Sequence, residues 1–474
     1  MDIDDGGYRR SQQRLVESAQ RPSDLYDSSI DAFPCPSPKC RACLGIGRVN
    51  CCDNPFSTHL ICITCKHCEQ RTYVILPPIR KKRVYLDQSL ISSLFNVSPA
   101  TESDEPAEPT LHQRLLSKIL EAKRSQRVCV VVSAIHLLET VAVPDEFEEK
   151  RIAIWRFANL LADGHIAGDF KEAFVADLNA VAGRDCFTNK KIDRWDIHPP
   201  AQRDNSWRLD SNASWRESRQ QSNKRFRDVL LAQALNADRC RSSEECVDFV
   251  KGATAQEILD AIAYWRQAVL AMKALNEPSE ISLLIAAQVQ SESCQPNTYV
   301  KLIAEALGTG EISLDKLQTL EREITNNGLS AFSSSLLTAT IEGELLWTWK
   351  QGHRRSPKKF SKYFGVSRNM DIAHVSVFAP IVDVLTTDND MHKLCQGGSI
   401  PGLLSKYPCQ LFSSESFAEF ETWLDSVIAE PESEEFRLTR RLLYGRNTTE
   451  EDEKWNADVA EVIEQISQAR NTRP

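Results

Sequence analysis

The feature that most limits what this chain can fold into is a repeated junction. A short β-branched, apolar segment ends in or beside an acid and is followed by a helical pattern. Arg83-Val84-Tyr85-Leu86-Asp87 is the first such segment, with a helix predicted over Ser89–Phe95 behind it. Val128–Val132 is the second and leads through Ser133 into Ala134–Thr140, which carries Glu139. Ile381–Thr387 is the third and runs into Asp388-Asn389-Asp390. Continuous apolar runs suit strands buried on both faces, and strands alternating with helical patterns predict strand–helix–strand units with a parallel sheet. A further helix is predicted to open at Asp371, where a carboxylate faces unpaired N–H groups, and to stop at Pro380. Ligands in open α/β sheets bind outside the carboxyl ends of the strands. Asp87, Glu139, Asp371, Asp388 and Asp390 are therefore expected at equivalent ends of successive units. Asp383, inside the third segment, reads either as one more acid of this set or as a buried polar contact.

The N-terminal part obeys a different rule. Fifteen cysteines occur in the chain, and eight of them fall within residues 35–68. The pairs Cys40/Cys43 and Cys65/Cys68 are Cys-x2-Cys knuckles with 21 residues between them, close to the spacing of a four-cysteine zinc ribbon. Each knuckle can wrap a structural Zn²⁺ in a tight turn. Cys35, Cys51, Cys52 and Cys62 are enough for a second site or for swapped ligands. No charged-apolar-small leader opens the chain, so metal binding in a reducing cytoplasm is expected over disulfides.

Between the two acid-bearing regions the pattern turns helical. Asp145-x-x-Glu148 and Thr254-x-x-Glu257 read as helix starts, as does Thr110-x-x-Gln113 further upstream. The predicted organisation is a disordered N-terminus over 1–33 and a zinc-ribbon-like module over 34–78. The first part of an α/β core over 79–144 and an all-helical insertion over 145–345 follow. The second part of the core covers 346–428, and a charged helical tail covers 429–474.

Net charge is −9 and the pI about 5.6, which excludes a uniformly basic nucleic-acid binder and leaves local patches. Residues 184–228 hold eleven Lys/Arg against seven Asp/Glu, with Trp195, Trp207 and Trp215 interleaved; they read as a long polar loop or a base-stacking surface. The stretch from His353 to Arg368 carries Arg354, Arg355, Lys358, Lys359 and Lys362, ends three residues before Asp371, and suits phosphate contact. No apolar run is long enough to span a membrane. No phosphate-binding Gly-rich loop with Lys-Ser or Lys-Thr, no His-Glu-x-x-His and no Gly-x-Ser-x-Gly is present, so NTPase, zinc-protease and serine-hydrolase chemistry lack support.

Several carboxylates at one point, with no His or Cys nucleophile among them, suit metal-assisted phosphoryl hydrolysis. In order and spacing, Val84-Tyr85-Leu86-Asp87, Ser133–Glu139, Asp371 with its helix, and Thr386-Thr387-Asp388-Asn389-Asp390 resemble the PIN and PIN-like nucleases. The resemblance covers about residues 82–142 and 340–428, and the long interval between Glu139 and Asp371 departs from a minimal domain of that family. It implies a PIN-like parallel sheet flanked by helices. It also implies endoribonuclease activity on RNA, with Asp87, Glu139, Asp371 and Asp388 holding Mg²⁺ or Mn²⁺ and Asp390 beside them. Two other readings stay open: a non-catalytic zinc-ribbon adaptor binding nucleic acid or protein, and a metal-dependent phosphoesterase acting on DNA. Protein purified under reducing conditions without chelators is expected to carry one or two zinc ions in residues 35–68, which metal analysis of the purified protein checks.

Overall fold

The structure is a computed structural model. It describes residues 33–34, 43–44, 50–52, 59–64, 71–76, 81–97, 108–133, 135–136, 139–140, 148–162, 166–167, 173–174, 177–178, 181, 239–275, 299–300, 302–303, 314–353, 366–433 and 436–437. These residues fall into two compact units.

One unit takes in the described residues up to Lys81, Lys118–Val128 and the chain from Trp423. Its strands are short and antiparallel. β1 (Phe33–Pro34) pairs with β2 (Cys43–Leu44), while β3 (Asn50–Cys52), β4 (His59–Thr64) and β5 (Arg71–Leu76) form a three-stranded sheet. The β4–β5 register runs from His59 opposite Leu76 to Thr64 opposite Arg71, through the β-branched and aromatic residues that favour strands. Cys43, Cys51, Cys52 and Cys62 lie in these strands; Cys35, Cys40, Cys65 and Cys68 lie outside the described residues. In the same unit Arg127 is buried. Its guanidinium lies 4.6 Å from the centroid of the Phe436 ring and donates to the Glu430 carbonyl, with Glu430 and Glu432 carboxylates 3.9 and 4.0 Å away. This clamp holds the start of the charged tail, most of which lies outside the described residues.

The other unit is α/β. In chain order it contains β6 (Lys82–Tyr85), α1 (Gln88–Asn96), the first half of α2 (Leu111–Arg124) and all but the first residue of β7 (Val128–Ser133). α3 (Glu148–Ala162), β8 (Ile166–Ala167), α4 (Ser243–Leu275), α5 (Leu314–Asn327), α6 (Ser333–His353) and α7 (Val366–Phe378) come next. It ends with β9 (Val384–Thr386), α8 (Asn389–Cys395), α9 (Ile400–Leu404), β10 (Gln410–Phe412) and the start of α10 (Phe417–Ile428). The strands line up as β10-β9-β6-β7-β8. The pairs β10–β9, β6–β9 and β7–β8 are parallel, as the sequence predicts. Among the described residues no helix is long and apolar enough to cross a membrane.

Local signals explain several boundaries. The Thr110 box forms: the Thr110 amide donates to Gln113 Oε1 at 2.7 Å, and the Gln113 amide to Thr110 Oγ1 at 3.3 Å. Thr254 caps nothing, because α4 already runs from Ser243. The start is made about three turns earlier, where the Glu245 amide donates to Ser242 Oγ and the Arg241 amide to Glu245 Oε2. Asp145 lies outside the described residues. The stretch predicted as all-helical also contains a strand, β8, whose Ile166 and Ala167 pair with Val132 and Ser133 at the edge of the sheet. Two residues are too few to show a period. Before α10, the turn is capped by Ser413 and Ser416 acting reciprocally.

The helices between β8 and β9 share one hydrophobic core with the sheet, which joins Tyr85, Val131 and Leu385 to Trp265, Leu320 and Leu345. Two glycines set how closely its parts approach. A Cβ on Gly343 of α6 would lie 2.5 Å from Val247 Cα of α4. Gly398 has φ +60°, and a Cβ there would meet Glu344 Oε1. The buried Glu344 carboxylate accepts from the Ser399 amide at 2.8 Å and from Ser399 Oγ at 3.0 Å, and also from Ser243 Oγ. It thereby ties α6 to the starts of α4 and α9.

Substituting Gly343→Ala is expected to destabilise the protein by about 1–3 kcal/mol, because the obstructing atoms are backbone. Gly252→Ala, on α4 with nothing within 4 Å of the added methyl, is expected to be stabilising by roughly 0.5–1 kcal/mol. Urea unfolding of the two variants checks the opposite signs.

Candidate functional site

The carboxyl ends of β6 and β9 are neighbours, since Tyr85 pairs with Leu385. Asp87 leaves β6 as the cap of α1 and accepts from the Leu90 amide at 3.2 Å. Ser89 Oγ donates to Asp87 Oδ2 at 2.5 Å. Thr386 Oγ1 donates to Asp87 Oδ1 at 3.0 Å and accepts from the Asp87 amide at 2.8 Å. Burial pushes the Asp87 carboxyl up, against the pull of the bonds from Ser89, Thr386 and the backbone. Asp388 leaves β9 in the same way, capping α8 through the Met391 amide at 2.5 Å.

Asp371 does not open a helix. α7 begins at Val366, so the carboxylate projects from its second turn. The residues before it, Ser367-Arg368-Asn369-Met370, extend the helix backwards, and Arg368 and Asp371 form an i,i+3 pair. A helix start would have favoured the charged form of Asp371. Instead its carboxyl is pushed up to about 8, first by burial and then by the charge of Asp388; Arg368 pulls the other way. A hydrogen bond with the Asp388 side chain and the charge of Glu139 push it further up.

Arg368 is a site residue that the acid pattern of the sequence does not single out. Its Nη1 lies 3.6 Å from Asp371 Oδ2 and 3.5 Å from each Asp388 oxygen, and its Nη2 lies 3.4 Å from Asp390 Oδ2. The Arg368 side chain is 14% exposed and that of Asp390 71%. Three of the five predicted acids thus gather around one guanidinium. Extending the Asp371 helix by one turn in the sequence would have exposed the i,i+3 spacing.

Glu139 and Asp87 adjoin this group through Tyr85. That side chain is fully buried, and its phenol is pushed well up, mainly by burial, with the charges of Glu139 and Asp87 adding to it. Tyr85 stacks between Phe378 and His136, at centroid distances of 4.0 and 4.6 Å, and its hydroxyl bonds Ser133 Oγ at 2.8 Å. His136 Nδ1 accepts from the Ser133 amide and Nε2 donates to the Leu86 carbonyl at 2.6 Å, which fixes the neutral Nε2–H tautomer. Burial lowers His136 to about 4. His374 of α7 is also buried, and burial and His136 hold it well below the ordinary histidine range. Its Nε2 is 3.7 Å from Glu139 Oε2. Asp383 lies apart and is half-buried, not buried as the sequence suggested: it accepts from the Arg83 amide at 2.7 Å, with Lys82 4.0 Å away.

The acids offer oxygen donors only, which suits a hard divalent cation. Among the described residues no three His, Cys, Asp or Glu side chains are close enough together to hold a metal ion. Mg²⁺, however, keeps much of its water and is commonly held by one or two carboxylates. Asp371 and Asp388, in side-chain contact, are such a pair. The basic residues Arg354, Arg355, Lys358, Lys359 and Lys362, and the segment 184–228, lie outside the described residues. No family model matches the chain, and no curated protein or solved structure is detectably similar to it.

Asp371 holds a proton in the folded state at pH values where the unfolded chain has released it. Its contribution to stability is therefore fully present below about pH 4, the ordinary range of an unfolded aspartate. It is lost as pH rises through about 8. Asp371→Asn is expected to raise the melting temperature of the metal-free protein at pH 8 by roughly 2–4 °C, the equivalent of about 1 kcal/mol. At pH 5 it should do so by much less. Thermal melts in chelator at the two pH values check this.

Proposed function

We propose that the protein is a Mg²⁺- or Mn²⁺-dependent ribonuclease of PIN-like type, its site formed by Asp87, Glu139, Asp371 and Asp388 with Asp390 at the rim. The observation that carries this reading is the juxtaposition of Asp371 and Asp388, from a helix and an adjacent strand end, where burial and the charge of Asp388 push the Asp371 carboxyl up. A site built this way has an excess of negative charge that a divalent cation relieves. Asp371 and Asp388 would hold that cation, with Glu139 and Asp390 within its field. When bound, such an ion supplies Lewis-acid polarisation of a phosphate oxygen.

The chain's own residues do the rest. Thr386 and Ser89 fix the Asp87 carboxylate at the end of β6, so its orientation does not depend on substrate. The packed layer of Tyr85, Phe378, His136 and His374 excludes water from behind the acids. The basic stretch Arg354–Lys362 would contact the substrate backbone on entry. The cysteine-rich module, read as a zinc ribbon with structural Zn²⁺, would anchor RNA or a partner protein.

The ion pairs that Arg368 makes with Asp371, Asp388 and Asp390 favour a second reading, in which the cluster is a structural salt-bridge network and the chain a non-catalytic adaptor. Activity separates the two. On the nuclease reading, RNA cleavage is lost in EDTA and restored by Mg²⁺ or Mn²⁺. Asp87→Asn and Asp371→Asn each lower it by about 100-fold, and the double variant is little worse because the ligands act as a unit. Absence of cleavage by the wild-type protein with Mg²⁺ and with Mn²⁺ would support the adaptor, and cleavage at wild-type rate by both variants would overturn the assignment of the site to these acids. Parallel assays on single-stranded RNA and DNA separate the ribonuclease from a DNA phosphoesterase.

A further inference from the structure

The role of Arg368 deepens the reading of this site as a metal-dependent nuclease and rests on that reading. We infer that Arg368 is a positioning residue: its guanidinium holds Asp371, Asp388 and Asp390 together while no divalent cation is bound, and a cation must displace it to bind there.

The distances carry this. One nitrogen, Nη1, serves both Asp371 and Asp388, and Nη2 serves Asp390, all between 3.4 and 3.6 Å. These are longer than the roughly 2.7–2.9 Å of a tight charge-assisted bond. The guanidinium is therefore a charge shared among three carboxylates, not a fork locked onto one. It lies among the oxygens that a metal would use. Arginine cannot shed its proton in a protein, so it cannot make room for a dication by titrating. It must move off the carboxylate oxygens.

Two consequences differ from those of a merely structural salt bridge. Removing the guanidinium should strengthen metal binding, where loss of a structural support would weaken it. Replacing it by lysine should give an intermediate result, because an ammonium keeps the charge but cannot span two carboxylates with one planar group.

The test is calorimetric titration of the full-length, metal-free protein with Mn²⁺ alone, comparing wild type, Arg368→Gln, Arg368→Lys and Asp371→Asn. Arg368→Gln is expected to bind Mn²⁺ about 10-fold more tightly than wild type, with Arg368→Lys between them and Asp371→Asn binding weakest. In chelator Arg368→Gln should melt lower than wild type, and saturating Mn²⁺ should restore more of its melting temperature than it adds to wild type. If wild type binds Mn²⁺ through Asp371 but neither arginine variant binds more tightly, the inference falls and the metal site stands. If no variant binds Mn²⁺, the metal site and the inference fall together. Should Arg368→Gln not fold, Arg368→Lys alone decides: affinity equal to or below wild type overturns the inference.

Discussion

The parallel pairing of β6 with β9 is the constraint on which the α/β unit depends. It joins strands far apart in the chain, and Asp87 and Thr386, 299 positions apart, exchange two hydrogen bonds across it. Without that pairing Asp87 and Asp388 would have no common neighbourhood. The thermodynamic cost of the separation is modest, since each doubling of a loop adds only about 0.6 kcal/mol. The kinetic cost is larger, because non-local strand pairing must await closure of the intervening chain. The intervening helices reduce that difficulty by joining the same core. Trp265, Leu320 and Leu345 are buried with Tyr85 and Leu385, and Glu344 binds the start of α4 to the start of α9. The long segment between Glu139 and Asp371 therefore helps build the sheet's support and is more than a spacer.

What is legible in the sequence is what local chemistry determines. β-branched apolar runs give away β6, β7 and β9, and the acids at their ends follow from the direction of the strands. The Thr110–Gln113 box is legible because both of its partners lie within one turn. Thr254 and Glu257 show the limit of such signals: the same spacing occurs inside a continuous helix, where the backbone amides already have partners. The start of α7 is hidden for a related reason. Asp371 is a good helix-opening residue, but Arg368, Asn369 and Met370 tolerate helix equally well, and the carboxylate ends up in the second turn. β8 is invisible because two residues carry no period.

The electrostatics of the site are not legible, because they arise from burial and from partners distant in sequence. Asp87 and Asp371 are both carboxylates displaced upwards by burial, yet their surroundings differ. Asp87 is held by hydroxyl and amide donors, while Asp371 faces another carboxylate. No local pattern distinguishes the two, although the difference assigns a fixed orientation to one and a carboxylate neighbour to the other.

The layer behind the acids then decides where compensating charge can come from. His136 is locked as a neutral tautomer by the Ser133 amide and the Leu86 carbonyl. His374, edge-on to Tyr85 at 5.2 Å and buried beside His136, is held uncharged as well. Two histidines that in water could neutralise Glu139 and Asp371 are thus kept from doing so by their burial, to which His136 adds at His374. A cation approaching from that side would have to cross the stacked rings of Tyr85 and Phe378. Positive charge must therefore enter from the face where Asp388 and the exposed Asp390 lie, and that is the face Arg368 occupies. The apolar packing of β6 against α7 thereby fixes both the negative charge of the cluster and the direction from which it can be satisfied.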